Sequence, residues 1–222
     1  MGTLYWQLND CWPGASWSSI DYNKNWKVLH YLAKHFFKTI LVTVYKGKSN
    51  IEVFVINDTD KEKMCTLLIE LHDFEGDKKV LFNKNLKIIP LASKRYFFHD
   101  IRELISNKDK SQLMLRVYVK EGNKILSSNN YLFSRPKELK LPRPDFRIEQ
   151  KNLGDRTSLK ITAKTFLYKV CLTCKNQKGQ FSDNYFDMVK GEVKNISFRS
   201  EVFNNDKKEF NFSLRTMCDL IE

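Results

Sequence analysis

The sequence predicts a mainly β fold with two antiparallel β-sandwiches, preceded by one strand-loop-helix unit. Short stretches in which apolar and polar residues alternate begin at residue 41 and recur through the rest of the 222-residue chain. A proline-rich segment at 135–144 divides these stretches into two sets. Residues 1–40 differ in kind, because they contain all four tryptophans of the chain. We therefore expect a distinct N-terminal segment, then two sandwiches joined by a linker.

The N-terminal segment, residues 1–40, reads as a strand, a loop and a helix. Gly2–Leu8 is apolar and aromatic, as a buried parallel strand would be, and Asn9–Asn25 is a polar and aromatic loop. Trp26–Phe37 follows the helical period. Such a βα unit cannot bury its strand alone, because parallel strands have neighbours on both edges and helices on both faces.

The first set of strands, within residues 41–134, predicts a sandwich. Turn residues at Gly76-Asp77 and at 121–123 are typical of hairpins. A short helix is predicted after Asp100, because Asp is a favourable N-cap residue and Glu103 follows it three residues later, as in a capping box. The predicted strands are 51–56, 64–74, 79–91, 113–120 and 124–133.

The second set, within residues 145–222, predicts a smaller sandwich after the linker at 135–144. Its strands are short and are again separated by polar segments, which is typical of sandwich folds. The predicted strands are 146–150, 158–164, 168–175, 184–188, 193–198 and 210–217.

Charge and cysteine content exclude several classes of function. The net charge is +12, but it is spread along the chain, and lysine outnumbers arginine 29 to 9, which disfavours specific nucleic-acid binding. No apolar run approaches the ~18 residues of a membrane span. Cys171 and Cys174 lie three apart on a predicted strand, so their side chains point to opposite faces and disfavour a zinc site. We expect no nucleic acid, membrane, metal or cofactor as a partner.

The N-terminal loop carries the best candidate site. Trp6 lies at the carboxyl end of the predicted strand, and in a (β/α)₈ barrel this end faces the active site. An indole face packs against the C–H side of a pyranose, and Asn9 and Asp10 can hydrogen-bond its hydroxyls. This combination favours a sugar site. Trp12, Trp17 and Trp26 have a second interpretation, as packing residues that close a barrel or hold the next domain.

Two parts of the chain resemble a known family, and the residues that carry the resemblance are 2–10, 12–13, 16–22, 26–27, 29–31 and 180–188. Those in the N-terminal segment are similar to the end of the catalytic barrel in β-mannosidases of glycoside hydrolase family 2. Residues 180–188 resemble the C-terminal immunoglobulin-like domain of those enzymes. The resemblance implies two immunoglobulin-like sandwiches after the terminal βα unit of a truncated (β/α)₈ barrel. The expected domains are 1–40 (barrel end), 41–134 (first sandwich), 135–144 (linker) and 145–222 (second sandwich).

The resemblance also implies hydrolysis of terminal β-D-mannose residues from oligosaccharides, with retention at the anomeric carbon. Retaining chemistry requires two carboxyl groups ~5 Å apart, which the family places on glutamates of earlier barrel strands. The first glutamate here is Glu52, so both catalytic glutamates are expected outside this chain, and the isolated chain is predicted to be inactive.

Substrate-binding residues and partners follow by position. Trp6 matches a residue that lines the family's sugar pocket, and Asn9, Asp10 and Trp12 beside it are further candidates. The expected partners are a β-mannoside oligosaccharide, in the intact enzyme, and the missing barrel domain. The family suggests a lysosomal, secreted or periplasmic location.

An alternative from another class is a non-catalytic carbohydrate-binding or adhesion module. Such sandwiches expose aromatic rings on a sheet face or a loop. The two predicted sandwiches contain no tryptophan, although Tyr96, Tyr118, Tyr131 and Tyr185 could serve.

Overall fold

The computed structural model describes residues 4–106, 108–153, 156–201 and 210–220. The chain divides into two compact units, one of residues 35–141 and one that combines residues 1–34 with 142–222. Within the described ranges, no helix has both the length and the apolar character needed to cross a bilayer. The predicted mainly β fold with two antiparallel sandwiches is confirmed.

The unit of residues 35–141 is a sandwich of a three-stranded and a four-stranded sheet. The three-stranded sheet has the order β1-β2-β5, and the four-stranded sheet has the order β4-β3-β6-β7. All of the neighbouring strands are antiparallel. The strands are β1 (Ile40–Lys46), β2 (Asn50–Asn57), β3 (Lys63–Asp73), β4 (Lys78–Ile88), β5 (Ala92–Asp100), β6 (Leu113–Glu121) and β7 (Lys124–Leu132).

Strict alternation along the strands builds the core between these two sheets. Ile51, Val53 and Val55 of β2 are buried, and the residues between them lie on the outer face. Leu67 and Ile69 of β3 are fully buried and belong to the same apolar cluster. The alternation that predicted a sandwich thus places every second residue of these strands in its core.

Strand β4 lies at the edge of its sheet, and a lysine protects it against pairing with another chain. Phe82 and Leu86 pack against the core, and Lys84 lies between them on the same face but is exposed. The Lys84 ammonium lies 5.4 Å from the Phe82 ring centroid. A charge on the core-facing side of an edge strand opposes pairing with another chain.

Two elements of this unit test the sequence interpretation in opposite ways. The short helix α2 (Ile101–Ile105) begins after Asp100, whose side chain accepts a hydrogen bond from the Arg102 amide, as the capping pattern predicted. Strand β5 was not predicted, because its mixture of lysine, arginine and aromatic residues does not alternate cleanly. A register shift in its pairing with β2 explains the broken alternation.

The second unit contains the other sandwich. One sheet has the order β11-β13-β9-β8 and the other the order β12-β10-β14. Leu159, Ile161, Leu167, Val170 and Phe198 are fully buried between them. The strands are β8 (Phe146–Asn152), β9 (Thr157–Ala163), β10 (Leu167–Cys174), β11 (Gly179–Phe181), β12 (Phe186–Met188), β13 (Val193–Ser200) and β14 (Phe212–Arg215).

Helix α1 (Val28–Phe36) connects the N-terminal segment to this sandwich. Tyr31 is 4% exposed and belongs to the core cluster of the second sandwich. Its ring contacts that of Tyr185 with centroids 5.7 Å apart. Burial raises the pKa of the Tyr31 phenol, although hydrogen bonds with the Phe181 backbone and the Asn184 side chain oppose the rise. The helix is therefore anchored through one buried aromatic side chain.

The predicted strand at Gly2–Leu8 is not formed in the part that is described. Gly2 lies outside the described residues, and residues 4–8 have no strand assignment. The next residue, Asn9, makes an isolated parallel bridge with Ile20. A parallel strand requires neighbouring strands on its edges, and the two sandwiches pair their described strands among themselves. The barrel strand remains a prediction for a setting that contains those neighbours.

A buried polar cluster lies at one end of β3. The Glu70 carboxylate lies 3.1 Å from Nε2 of His72 and 3.2 Å from Nζ of Lys78. Burial lowers the pKa of His72, and although Glu70 opposes this, Arg116 and Lys78 reinforce it. Burial alone would raise the pKa of Glu70, but its hydrogen bonds with His72 and Lys78 outweigh burial and lower the pKa. His72 is therefore held neutral and Glu70 charged.

This cluster predicts loss of stability on mild acidification. A histidine whose pKa is lower in the folded state contributes full stability above its ordinary pKa of 6.5 and loses that contribution as the pH falls below it. The urea concentration at the unfolding midpoint of the full chain should decrease as the pH is lowered from about 7.5 to about 5.5. His72→Gln should reduce this dependence of the midpoint on pH. His99→Gln, at a more exposed position, is the control and should keep this dependence. A parent midpoint that is flat over this window would contradict the prediction.

Candidate functional site

The N-terminal loop forms a cleft of about 300 Å³ whose rim is aromatic. Trp6 and Trp12 are 72% and 74% exposed, and Trp17 is exposed still further. The peptide bond between Trp6 and Gln7 is cis. The described lining residues are Trp6, Gln7, Asp10, Cys11, Trp12, Gly14, Ala15, Ser16 and Trp17.

The structure brings together three of the four residues predicted to bind sugar. Trp6, Asp10 and Trp12 line the cleft, whereas Asn9 is exposed beside it and its amide donates to the Asp10 carbonyl at 3.3 Å. Gln7 and Trp17 also line the cleft, and the sequence reasoning did not assign them to it. Trp17 stands four residues beyond Pro13, in a turn whose path the sequence pattern does not specify. Trp26 instead packs on Tyr31, with ring centroids 5.4 Å apart.

Backbone hydrogen bonds hold the two ends of the loop side by side. The Leu8 carbonyl accepts from the Ile20 amide at 2.9 Å, and the Asp10 amide donates to the Ile20 carbonyl at 3.0 Å. The Lys27 amide donates to the Ser19 carbonyl at 2.9 Å, which ties the loop to the start of α1. Residues 11–17 therefore project as a closed loop from a fixed base.

Asp10 is the centre of a polar network below the aromatic rim. Its side chain is 4% exposed and accepts a hydrogen bond from the Ser16 hydroxyl, and its other oxygen lies 3.1 Å from Nζ of Lys27. Lys27 also donates to the Ser18 hydroxyl at 2.8 Å. The hydrogen bond from Ser16, together with those from Lys27 and Ser18, lowers the pKa of Asp10 against the opposing effect of burial. The carboxylate is ionised and held inside the loop.

Ser19 organises a second network on the other side of the loop base. Its hydroxyl lies 2.9 Å from the Leu8 carbonyl, 3.0 Å from Nδ1 of His30 and 3.1 Å from the Tyr5 hydroxyl. A carbonyl can only accept, so the single Ser19 proton goes to Leu8, and His30 and Tyr5 donate to the serine oxygen. His30 therefore carries its proton on Nδ1. Burial lowers the pKa of His30, which favours the neutral ring.

The carboxylates of the described N-terminal segment do not form a hydrolytic pair. Asp10 is committed to Ser16 and Lys27, and Asp21 accepts from the Asn25 backbone and side-chain amides, each at 2.8 Å. Asp10 is the one carboxylate among the described residues that line the cleft. A retaining glycosidase requires two carboxyl groups ~5 Å apart. Among its described lining residues, the cleft therefore has exposed indole faces but no acid-nucleophile pair.

Both sandwiches match descriptions of known domain families. Residues 49–138 match the family described as "Mannosidase Ig/CBM-like domain". Residues 141–220 match the family described as "Ig-fold domain".

Curated relatives match almost the whole chain. A β-mannosidase of Rattus norvegicus is 28% identical over 99% of this chain. A β-mannosidase A of Neosartorya fischeri is 26% identical over 90% of it. The chain spans only about a quarter of the length of these relatives, 26% and 23% respectively.

Solved structures share the fold at lower sequence identity. The crystal structure of a β-D-mannosidase from Dictyoglomus thermophilum matches with a TM-score of 0.80 and 23% identity, over 95% of this chain and 25% of that one. An exo-chitosanase of Amycolatopsis orientalis matches with a TM-score of 0.68 and 15% identity, over 96% of this chain and 29% of its own.

The network below the cleft predicts that Lys27 positions the aromatic loop. Lys27→Met removes the cation that faces the buried Asp10 carboxylate, so the loop should open to solvate that charge. We expect faster amide hydrogen exchange at residues 16–20 and stronger acrylamide quenching of tryptophan fluorescence. Lys48→Met is the matched control, because Lys48 is exposed and lies between β1 and β2, outside the aromatic loop. Equal exchange rates at residues 16–20 in the parent and in Lys27→Met would refute the positioning role.

Proposed function

We propose that the chain is the C-terminal part of a β-mannosidase, because residues 49–138 match a mannosidase Ig/CBM-like domain, residues 141–220 match an Ig-fold domain, and the curated relatives reported above are β-mannosidases. The intact enzyme would hydrolyse terminal β-D-mannose residues of oligosaccharides with retention. In this proposal residues 1–40 are the last strand-loop-helix of the barrel, and 41–134 and 145–222 are sandwiches joined by the linker 135–144. The part described here contributes one wall of the sugar pocket and supports the catalytic domain.

The observation that carries this proposal is the exposure of apolar side chains in the N-terminal segment. Leu4 is 82% exposed, and Trp6 and Leu8 are exposed with it. On α1, Val28, Leu32 and Phe36 are spaced by four residues, so they form one stripe, and all three are exposed. An exposed stripe on a helix whose other side is anchored by Tyr31 supports a further partner surface. Neighbouring units of a barrel would cover it.

Trp6 and Trp12 are proposed to contact the sugar directly. Both indoles stand at the cleft with most of their surface open, so a ring face is available for the C–H side of a pyranose. The Asn9 side chain is exposed at the rim and can donate to a hydroxyl. Asp10 lies deeper, where its carboxylate lines the cleft and holds Ser16 and Lys27. Asp10 contributes to substrate binding indirectly, because it fixes the loop that carries the Trp6 and Trp12 indoles.

The chain alone is predicted to hydrolyse no β-mannoside, because the described cleft contains one buried carboxylate and no second acid beside it. A chromogenic aryl β-D-mannoside assay of the purified full chain should give a rate equal to the buffer blank. The control is the same assay with an active β-mannosidase added to the sample, which excludes inhibition by the preparation. Turnover comparable to that of the added enzyme would overturn the assignment of the catalytic groups to another part of the protein.

Trp6 is predicted to provide the main sugar contact of the cleft. Trp6→Ala should weaken binding of β-1,4-mannobiose about tenfold, since loss of one stacking ring corresponds to ~1.4 kcal/mol. Binding is measured by NMR titration, so that loss of an indole does not remove the signal. Tyr22→Ala is the control, because Tyr22 is exposed but is not among the described lining residues. An unchanged dissociation constant in Trp6→Ala would remove Trp6 from the proposed site.

A further inference from the structure

We propose that the outer face of the β1-β2-β5 sheet is a second surface for neutral oligosaccharides, with Tyr45 and Phe98 as the rings that contact the sugars. This surface belongs to the first sandwich and shares no residue with the tryptophan cleft. The proposal therefore does not rest on the function assigned to the cleft.

The strand register places the two rings in one row with a carboxylate between them. Tyr45 of β1 is paired with Glu52 of β2, and Glu52 is paired with Phe98 of β5. Neighbours of Glu52 on β2, Ile51 and Val53, are buried in the core, so Glu52 points to the outer face. Tyr45 and Phe98 are 59% and 58% exposed. Two large rings thus stand open on either side of one acidic group.

A β-bulge adds an arginine to the same face. Val53 is paired with Phe97 and Phe54 with Arg95, which leaves Tyr96 as the extra residue of β5. The bulge directs both Arg95 and Phe98 outward although they are three residues apart. Nη1 of Arg95 lies 2.8 Å from the Glu52 carboxylate, and the Arg95 guanidinium lies 5.2 Å from the Phe98 ring centroid. Without the bulge these two side chains would lie on opposite faces.

The polar groups between the rings are held in fixed directions. Besides Arg95, the Asn50 amide donates to the other oxygen of Glu52 at 2.8 Å. The carboxylate and the guanidinium are planar, and together they offer acceptors and donors side by side. Vicinal hydroxyls of a sugar present the complementary pattern. Pre-organised groups of this kind bind with less loss of side-chain entropy than flexible ones.

The geometry favours a chain of several sugars over a single one. Tyr45 and Phe98 lie on strands separated by one other strand, so they are ~10 Å apart. One pyranose can cover one ring, and a linked oligosaccharide can reach both while its hydroxyls meet Glu52 and Arg95. Two ring contacts on one ligand add their effects through high effective concentration.

The charge and apolar pattern disfavours other ligands. Glu52 and Arg95 form an ion pair, so the centre of the row carries no net charge with which to attract a phosphate backbone. The same ion pair separates the two exposed rings, so the row of Tyr45, Glu52 and Phe98 is not a continuous apolar strip of the kind that favours a hydrophobic protein partner. A neutral polyhydroxyl ligand fits both conditions.

The test titrates the full 222-residue chain with β-1,4-mannotetraose, cellotetraose and mannose, and follows binding by NMR. We expect at least one tetrasaccharide to bind about tenfold more tightly than mannose. Tyr45→Ala and Phe98→Ala should each weaken this binding about tenfold, whereas Tyr45→Phe, which keeps the ring, should retain it. Ile125→Ala is the control, because Ile125 is an exposed apolar residue on β7 of the other sheet. Trp6→Ala should leave binding at this surface unchanged.

Three outcomes would overturn the proposal. The first is failure of the chain to bind either tetrasaccharide. The second is binding that neither Tyr45→Ala nor Phe98→Ala weakens. The third is binding that Trp6→Ala abolishes while Tyr45→Ala leaves it intact, because this would place the only glycan contact in the cleft. Conversely, if the cleft does not bind mannobiose, the proposal for the β1-β2-β5 surface is unaffected. The two proposals can therefore fail separately.

Discussion

Burial of Tyr31 in the core of the second sandwich is the interaction on which the N-terminal segment depends. The segment has few buried apolar residues of its own, and its large side chains are mostly exposed. Tyr31 joins it to a closed apolar cluster, and Lys34 adds a hydrogen bond to the Ser182 carbonyl at 2.9 Å. Asn184 supports this contact point, since its side chain also bonds both backbone groups of Leu172. A helix anchored in this way can present a loop whose rings remain open.

The loop itself is built in the reverse of the usual order, with polar groups inside and aromatic groups outside. Asp10, Ser18 and Ser19 are buried, whereas Trp6 and Trp12 are exposed. A polar interior is stable when its groups are bonded to one another, and Lys27 and His30 of the helix region complete those bonds. The arrangement fixes the backbone from below and leaves the ring faces free. The arrangement agrees with the proposed role of the loop as one wall of a binding pocket.

The two sandwiches follow one physical rule but use their outer faces differently. In the first sandwich, the alternation that buries Val53 also turns Glu52 outward, and the bulge at Tyr96 brings Arg95 beside it. The edge strand β4 instead uses Lys84 to discourage pairing. In the second sandwich, Tyr31 of α1 contributes to the core itself. One sandwich is thus a support for the N-terminal segment, and the other carries a polar and aromatic surface of its own.

The sequence by itself determined the mainly β fold, the capped helix after Asp100 and the cluster of Trp6 and Trp12, because alternation, capping and composition are local properties. The tertiary structure decided which of the loop residues share a cleft. Asn9 and Asp10 are adjacent in sequence, yet Asp10 turns inward to Lys27, seventeen residues away, and Asn9 turns to solvent. It also decided the row of Tyr45, Glu52 and Phe98, since strand register and a bulge set that row. Such contacts join residues far apart in the chain, and their geometry leaves no periodic signal in the sequence.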